Sequence, residues 1–525
     1  MSESSRPPCS EAYPMSDRYL RLHPHLSRPA EITGSWCSLP AHTLHLEATM
    51  FVKPGQRQDD RDHPLAVRAP TGRFISVLGE EVPDTQFWHR RVRDGDPVRP
   101  AAPADVVIVA QAGQPWGDDQ LVGTDAIMNW DAAYAGVKVI DLTGGVAGPS
   151  CAMMLAQHGA DVIKVETPHA GGDWSRILGR TYEDHSAFSV YGTLGKRSVA
   201  IDLKTKEGTE ILWRLVKGAD IFMEGFRPGT MKRYGFDYAA VSEREPGILY
   251  YSISGFGQTG PLAARPAMDP VLQAFIGIVN ENRGDRDNHP HRFAISAIDM
   301  FTGLLGFQAL ATSLHIQARQ KVKQGRYLEA SLMQGGAMLA VIRMIAQYLE
   351  RGAATRTSMP NGVFDTADGQ LNVTMVRPTD WPPFCEVIER SDLLGDPRFA
   401  THTARGGNLD ELYGVVRPVF KAKSTEWLAK RFTERNIMNY KVNSYEEFLM
   451  EEQVLATGII AWLTQPGFSE LVPMPNIPGL PAFESGTKRA HAPTLGQHTR
   501  EVLREHGFAD TEIAALIEKK VVAGP

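Results

Sequence analysis

Two aspartates stand out by their setting. Asp299 lies in Ser296-Ala297-Ile298-Asp299-Met300-Phe301-Thr302-Gly303, directly ahead of an apolar-periodic run at 304–318 that reads as a helix. A carboxylate at the leading end of a helix meets unpaired backbone N–H groups and the positive end of the dipole, so Asp299 is expected to stay ionised at neutral pH. Such a group can cap the helix, act as a base or attack an acyl carbon. From the local pattern alone capping comes first, since Asp is a favoured N-cap residue. Asp269 precedes Pro270, a residue suited to the first helical position, so it too reads as a cap.

Cations form a second constellation. Lys196, Arg197, Lys204, Arg227, Lys232 and Arg233 fall at expected strand ends and turns. The loop Gly225-Phe226-Arg227-Pro228-Gly229 opens a helix, whose first turn suits an anion. Cations on several loops of one sheet edge are what the phosphates of a nucleotide-like ligand require. The plainer reading is a solvated charged face.

The elements that must position these residues begin at 137–142, a continuous apolar strand. The turn 143–148 follows, then a helix from Pro149 to His158, Gly159, and a second strand at 160–166. This is a βαβ opening with a parallel sheet. Further strands are expected at 197–203, 221–224 and 248–254, and helices at 205–217, 270–279 and within the apolar run 332–346. The turn and Glu166 have the outline of a dinucleotide site, but the spacing fails. From Gly144 the motif needs glycine where Val146 and Pro149 stand; from Gly145 it needs glycine where Ala147 and Ser150 stand. The expectation is therefore a Rossmann-like α/β domain over 132–350 without a nicotinamide.

The flanking regions differ. Residues 1–35, rich in Ser, Pro, Arg and His, are expected to be disordered. Residues 36–131 form an extension with strands at 73–78 and 106–110 and a Pro-Ala linker at 98–104; an echo between 69–78 and 366–375 reads either as a partial duplication, which makes the extension part of a small domain, or as chance similarity of two hairpins. Hairpin-like segments and short helices at 351–488 read as a smaller α+β domain, and helices at 500–506 and 510–520 within 489–525 as a return to the large one.

Composition bounds the partners. The 525 residues are 42% hydrophobic and 22% charged, with a net charge of −6, which gives no overall footprint for nucleic acid or an anionic membrane. Cys9, Cys37, Cys151 and Cys385 are far apart and form neither a metal-ligand spacing nor a disulfide framework, which fits a reducing cytoplasm. No apolar run is read as long enough to span a membrane; the nearest, at 332–346, contains Gln334 and Arg343.

The segments 136–166, 195–208, 223–236, 252–261, 268–275 and 492–503 together resemble the family III CoA-transferases, the superfamily that includes formyl-CoA transferase, L-carnitine CoA-transferase and α-methylacyl-CoA racemase. The resemblance spans 132–525. It implies an acyl-CoA substrate, no further cofactor and no metal, a large CoA-binding domain with a smaller one, and an interlocked homodimer. It carries the nucleophile onto Asp299 and a second acid onto Asp269. CoA contacts carry over to Val146, Ala147, Thr167, Ile201, Asp202, Leu203, Lys204, Gly225, Phe226, Arg227, Arg233, Pro266, Ala267 and Met268. Two of these depart from the family pattern: Val146 stands where formyl-CoA transferase has Gln, and Thr167 where it has Arg. The implied reaction moves CoA from an acyl-CoA to a carboxylic acid through an aspartyl anhydride and an aspartyl-CoA thioester, with oxyanion donors expected among the backbone N–H groups near Asp299. The alternative is racemisation or isomerisation of an acyl-CoA by an acid and a base on opposite faces of Cα. For that reading the racemase histidine is replaced by Met268, and His291 is the nearest later histidine. A CoA-binding protein without catalysis is the third reading.

Overall fold

The computed structural model describes residues 132–283, 289–352 and 359–525, together with the backbone of three short strands nearer the N-terminus. The chain divides into two compact units at Asp118/Asp119. In the first unit, Thr49–Pro54 pairs antiparallel with both Glu80–Pro83 and Val98–Pro100. Val98–Pro100 is thus a strand where a linker was expected: its residues supply ladder partners to Val52–Pro54. The strands expected at 73–78 and 106–110, the disorder expected over 1–35 and the first half of the sequence echo lie outside the described residues.

The second unit is built on a seven-stranded sheet. Six strands are parallel: β1 (Lys138–Leu142), β2 (Asp161–Glu166), β3 (Arg197–Ile201), β4 (Ile221–Glu224), β5 (Leu249–Ser254) and β6 (Arg326–Ser331). Their spatial order is 3-2-1-4-5-6, and Val522–Ala523 closes the β3 edge antiparallel. The chain runs outward from β1 in one direction and then from β4 in the other. The crevice between β1 and β4 is therefore the switch point, where open α/β sheets hold ligands at strand C-termini.

Neighbouring residues along each strand feed opposite faces. Ile140, Ile163 and Phe222 join a core with the helix α3 (Lys206–Val216) and the C-terminal Val502, Leu503 and Ile513. Val139, Val162, Ile221 and Met223 join the other core, with α1 (Ala147–Gln157), α4 (Asp269–Ile276) and α5 (Ala297–Gln317). Both faces are covered, which is why these strands read as unbroken apolar runs.

The helix α5 starts seven residues earlier than the run at 304–318 suggested, so Asp299 lies inside its first turn. It also corrects the reading that no apolar run is long enough to span a membrane: its 21 residues have the length and mean hydropathy of a span. They serve instead as a central helix, packed on α1. Two further helices, α6 (Leu332–Leu339) and α7 (Val341–Leu349), meet at a bend of 67°. The short helix α2 (Ala187–Thr193) packs on α1 from another side.

Residues 359–437 have a core of their own, with Phe364, Leu371, Phe384, Phe420 and Phe432 at its centre. It includes strands Gly362–Asp365 and Gln370–Thr374, which pair with each other, and Met438–Lys441 pairs with the latter. The hairpin Ile460–Leu463/Val472–Pro475 packs back on Met153, Val190 and Leu194 of the α1–α2 region. Cys151 and Cys385 are buried free thiols; Cys9 and Cys37 lie outside the described residues.

Candidate active site

The two aspartates meet, and their roles differ from either local reading. The N-cap of α5 is Ser296, which makes no side-chain capping bond; Asp299 is the third residue of the helix. The orphan N–H groups there are taken by Asp269, whose Oδ2 accepts from the backbone N–H of Ile298 at 2.7 Å and of Asp299 at 3.1 Å. Asp269 is not the N-cap of its own helix either, since Met268 holds that position. It caps its neighbour from across the site.

This spares the Asp299 side chain. It is partly buried, and burial, reinforced by the Asp269 charge, pushes its carboxyl up to about 7. The expectation that the helix dipole keeps Asp299 fully ionised at neutral pH is overturned, because desolvation and a like charge outweigh a half-charge at a helix end. The expected oxyanion donors are also corrected: the N–H groups of Ile298 and Asp299 serve Asp269, and that of Met300 bonds Ser296 O.

Glycine fixes how closely α5 approaches α1. A Cβ at Gly303 would stand 2.7 Å from Ala147 O and 2.9 Å from the Ser150 Cβ. Asp299 is one turn earlier on the same face of α5 (i, i+4), the face that Gly303 turns toward α1.

The turn before α1 is held by buried charges. Asp141 Oδ1 accepts from Thr143 N at 2.9 Å and from its hydroxyl, and Lys196 joins Asp141 at 2.8 Å and Pro149 O at 3.0 Å. Burial raises the Asp141 carboxyl, but Lys196 and Lys164 more than offset this and hold it below the ordinary range. Lys164 bonds Thr143 O and Asp173, and Asp173 accepts from Gly145 N at 3.1 Å. Gly145 sits at φ +77° with the Trp174 indole against the place a Cβ would occupy. Glu166, fully buried, pairs with Arg176, which also reaches Pro493 O. One network thus ties β1, β2, the turn and the C-terminal segment.

The residues expected to hold CoA lie at the C-terminal ends of the parallel strands or in the connections that follow them. Val146 and Ala147 follow β1 and are buried; exposed Thr167 follows β2. Ile201, Asp202, Leu203 and Lys204 are at the end of β3, and Asp202 is held by His169 Nε2 at 3.0 Å and by Lys204 N. Gly225, Phe226 and Arg227 follow β4, and Arg233 in helix Thr230–Tyr234 reaches the Thr230 hydroxyl. Pro266, Ala267 and Met268 lead into α4, with Met268 half exposed.

The cationic collar is smaller than the sequence suggested. Lys196 and Arg197 are buried at the start of β3: Lys196 is taken up by Asp141 and Pro149 O at the turn before α1, and Arg197, on the opposite edge, pairs with Asp161, Glu501 and Glu505. Lys204, Arg227, Lys232 and Arg233 remain exposed. Sequence reasoning missed Gln273, four residues after Asp269 on α4, whose side chain contacts that carboxylate. The i, i+4 spacing was the available signal. It also missed Asp173 and Lys164. Among the described residues no group of three or more His, Cys, Asp or Glu is placed to hold a metal ion.

The family model described as CoA-transferase family III matches residues 134–499, and one described as a protein of unknown function (DUF2635) matches residues 63–102. A succinyl-CoA:glutarate CoA-transferase from Mus musculus is 30% identical over 70% of this chain and 85% of that protein. A succinyl-CoA–D-citramalate CoA-transferase from Chloroflexus aurantiacus is 31% identical over 74% of this chain and 97% of that protein. A crystal structure of a CaiB/BaiF family protein from Brucella suis superposes with a TM-score of 0.61 at 27% identity, covering 71% of this chain and 98% of that one. With the match running from the strand before the switch point to the C-terminal segment, the chain belongs to CoA-transferase family III.

Proposed function

We propose that this protein transfers CoA from an acyl-CoA to a carboxylic acid, with Asp299 as the nucleophile. The observation that carries the reading is the pair of aspartates: Asp269 satisfies the helix N–H groups that Asp299 would otherwise cap, leaving Asp299 available. The ionised Asp299 oxygen attacks the thioester carbonyl, and collapse of the adduct expels CoA thiolate and leaves a mixed anhydride. The thiolate attacks Asp299 Cγ, releasing the donor acid and forming an aspartyl-CoA thioester. The acceptor carboxylate attacks the same Cγ, freeing the thiolate again, and the thiolate takes the new acyl group and returns Asp299 as a carboxylate.

Each adduct needs oxyanion donors. With those of Ile298 and Asp299 engaged, we assign the role to the first turn of α1, where Val146 offers no capping side chain. CoA phosphates are assigned to Lys204, Arg227 and Arg233. An uncharged groove of about 340 Å³ flanks α5 between Ala297 and Leu304 and reaches Ser150, Met154 and Tyr191; its chemistry suits the acyl body or the pantetheine arm. Relatives named for succinate, glutarate and citramalate transfer support carboxylic acids as donor and acceptor.

The active form is proposed to be a homodimer. Ile342, Tyr348 and Leu349 on α7 are 79%, 84% and 72% exposed, an apolar face that a second copy would cover. The racemase alternative gains no support: the relatives named above are transferases, and Met268 supplies no base. Asp299→Ala tests the assignment. Turnover is expected to vanish while CoA binding persists; retained turnover removes Asp299 from the nucleophile's place.

A further inference from the structure

Gln273 is buried to 1% exposure, and both ends of its amide are engaged. Its Nε2 donates to Asp269 Oδ1, on the carboxylate oxygen opposite to the one that caps α5. Its Oε1 accepts from Phe293 N at 2.8 Å, and its Nε2 also donates to Phe293 O at 3.3 Å. Phe293 belongs to the segment 289–296 that leads into Asp299. That segment is pinned at its far end by His291 N to Asn282 O at 2.8 Å and by Asn282 Nδ2 to His291 O at 2.9 Å. Phe293 and Ile295 are 43% and 57% exposed, so apolar side chains stand in the open just before Asp299.

An amide is the side chain that offers an acceptor and a paired donor on one carbon. The amide cannot be turned over, because its oxygen would then face the Asp269 carboxylate and its nitrogen the Phe293 N–H. From this geometry we infer that Gln273 is a positioning residue for the transfer reaction: it locks the Asp269 carboxylate to the 289–296 segment, and so fixes the path by which an acyl group reaches Asp299. The inference rests on Asp299 being the nucleophile. The ionisable groups around the lock are Asp269 on α4, Asp299 on α5, and exposed His289, His291 and Arg292 of the segment itself; α1 brings Ser150 and α6 brings Gly335 to this part of α5.

Two variants and one wild-type measurement test it. Gln273→Met keeps the length and removes the amide. It is expected to lower kcat tenfold or more while KM for the acyl-CoA stays within twofold. In Gln273→Glu the new carboxyl can do both jobs only when protonated, its carbonyl accepting from Phe293 N and its O–H donating to Asp269. Its activity relative to wild type is therefore expected to be highest at low pH and to fall at least tenfold as pH rises. Wild-type kcat and pH profile in both variants would overturn the inference, as would equal losses at every pH that track loss of folded protein. Should either variant fail to fold, hydrogen exchange in the wild-type protein decides: slow exchange of the Phe293 amide is expected, and exchange as fast as at an unbonded loop amide would contradict the lock. Hydroxylamine trapping at Asp299 in wild type separates the two levels. A trapped Asp299 with indifferent variants sinks the role of Gln273 alone; an untrapped Asp299 sinks the reading beneath it.

Discussion

A carboxylate that caps a helix is committed to backbone N–H groups and attacks poorly. Here the capping falls to Asp269, and Asp299 is left with burial and a like charge, which raise its carboxyl to about 7. The nucleophile must be ionised, so kcat/KM is expected to fall about tenfold per pH unit below about pH 6 and to level off above about pH 8. Asp269→Asn removes the like charge, so the midpoint of that acidic limb is expected to move down. The same variant weakens the cap, at a cost of about 1 kcal/mol. The raised carboxyl also predicts a stability effect. In a carboxylate whose folded value exceeds its unfolded one, the penalty is absent below the unfolded value of 3.8, grows toward about 7 and is constant above that. Asp299→Asn is therefore expected to stabilise the protein by about 1–2 kcal/mol at pH 8, after allowance for screening, and to be neutral near pH 3.5. Thermal melts at both pH values check this. Equal midpoints at pH 8 would contradict the strain.

The helix α5 packs closely on α1 by dispensing with a side chain at Gly303, one turn after Asp299, the proposed nucleophile. Gly303→Ala puts a methyl group against the Ala147 carbonyl and is expected to cost about 1–3 kcal/mol in chemical denaturation, with a fall in kcat as Asp299 shifts. Lys196→Met leaves Asp141 buried without its closest cation and is expected to cost about 3–5 kcal/mol. Much of this layer was legible in the sequence. The strands β1 to β5 and the turn before α1 follow from unbroken apolar runs bounded by Gly and Pro. The strand β6 escaped because it lies beside a single parallel neighbour and buries only Leu328 and Ser331 of its six residues. The start of α5 was set too late because Asp299, Thr302 and Gly303 interrupt the apolar period, although Thr302 and Gly303 are buried by helix contacts. Lys196 and Arg197 were expected to be free for a ligand because sequence marks a strand end without saying which acid is buried with it; here Asp141 takes Lys196, and Asp161 and Glu505 take Arg197. The Asp269–Asp299 contact, across thirty positions, leaves no local pattern at all.

At the scale of the whole molecule, strand order 3-2-1-4-5-6 gathers the loops after β1 to β5 on one edge, and CoA transfer, the activity for which the matching family is named, is the chemistry proposed for that edge. The apolar face of α7 is assigned to a second copy. Sedimentation at micromolar concentration is expected to give twice the chain mass, and a monomer with full activity would contradict that assignment. The account as a whole stands on Asp299 carrying acyl and CoA groups in turn. The most direct measurement is to add hydroxylamine or borohydride to the protein during turnover of an acyl-CoA and to locate the modification by peptide mass spectrometry. Modification at Asp299, dependent on acyl-CoA, is the expected result. Continued CoA exchange with Asp299 unmodified would contradict it.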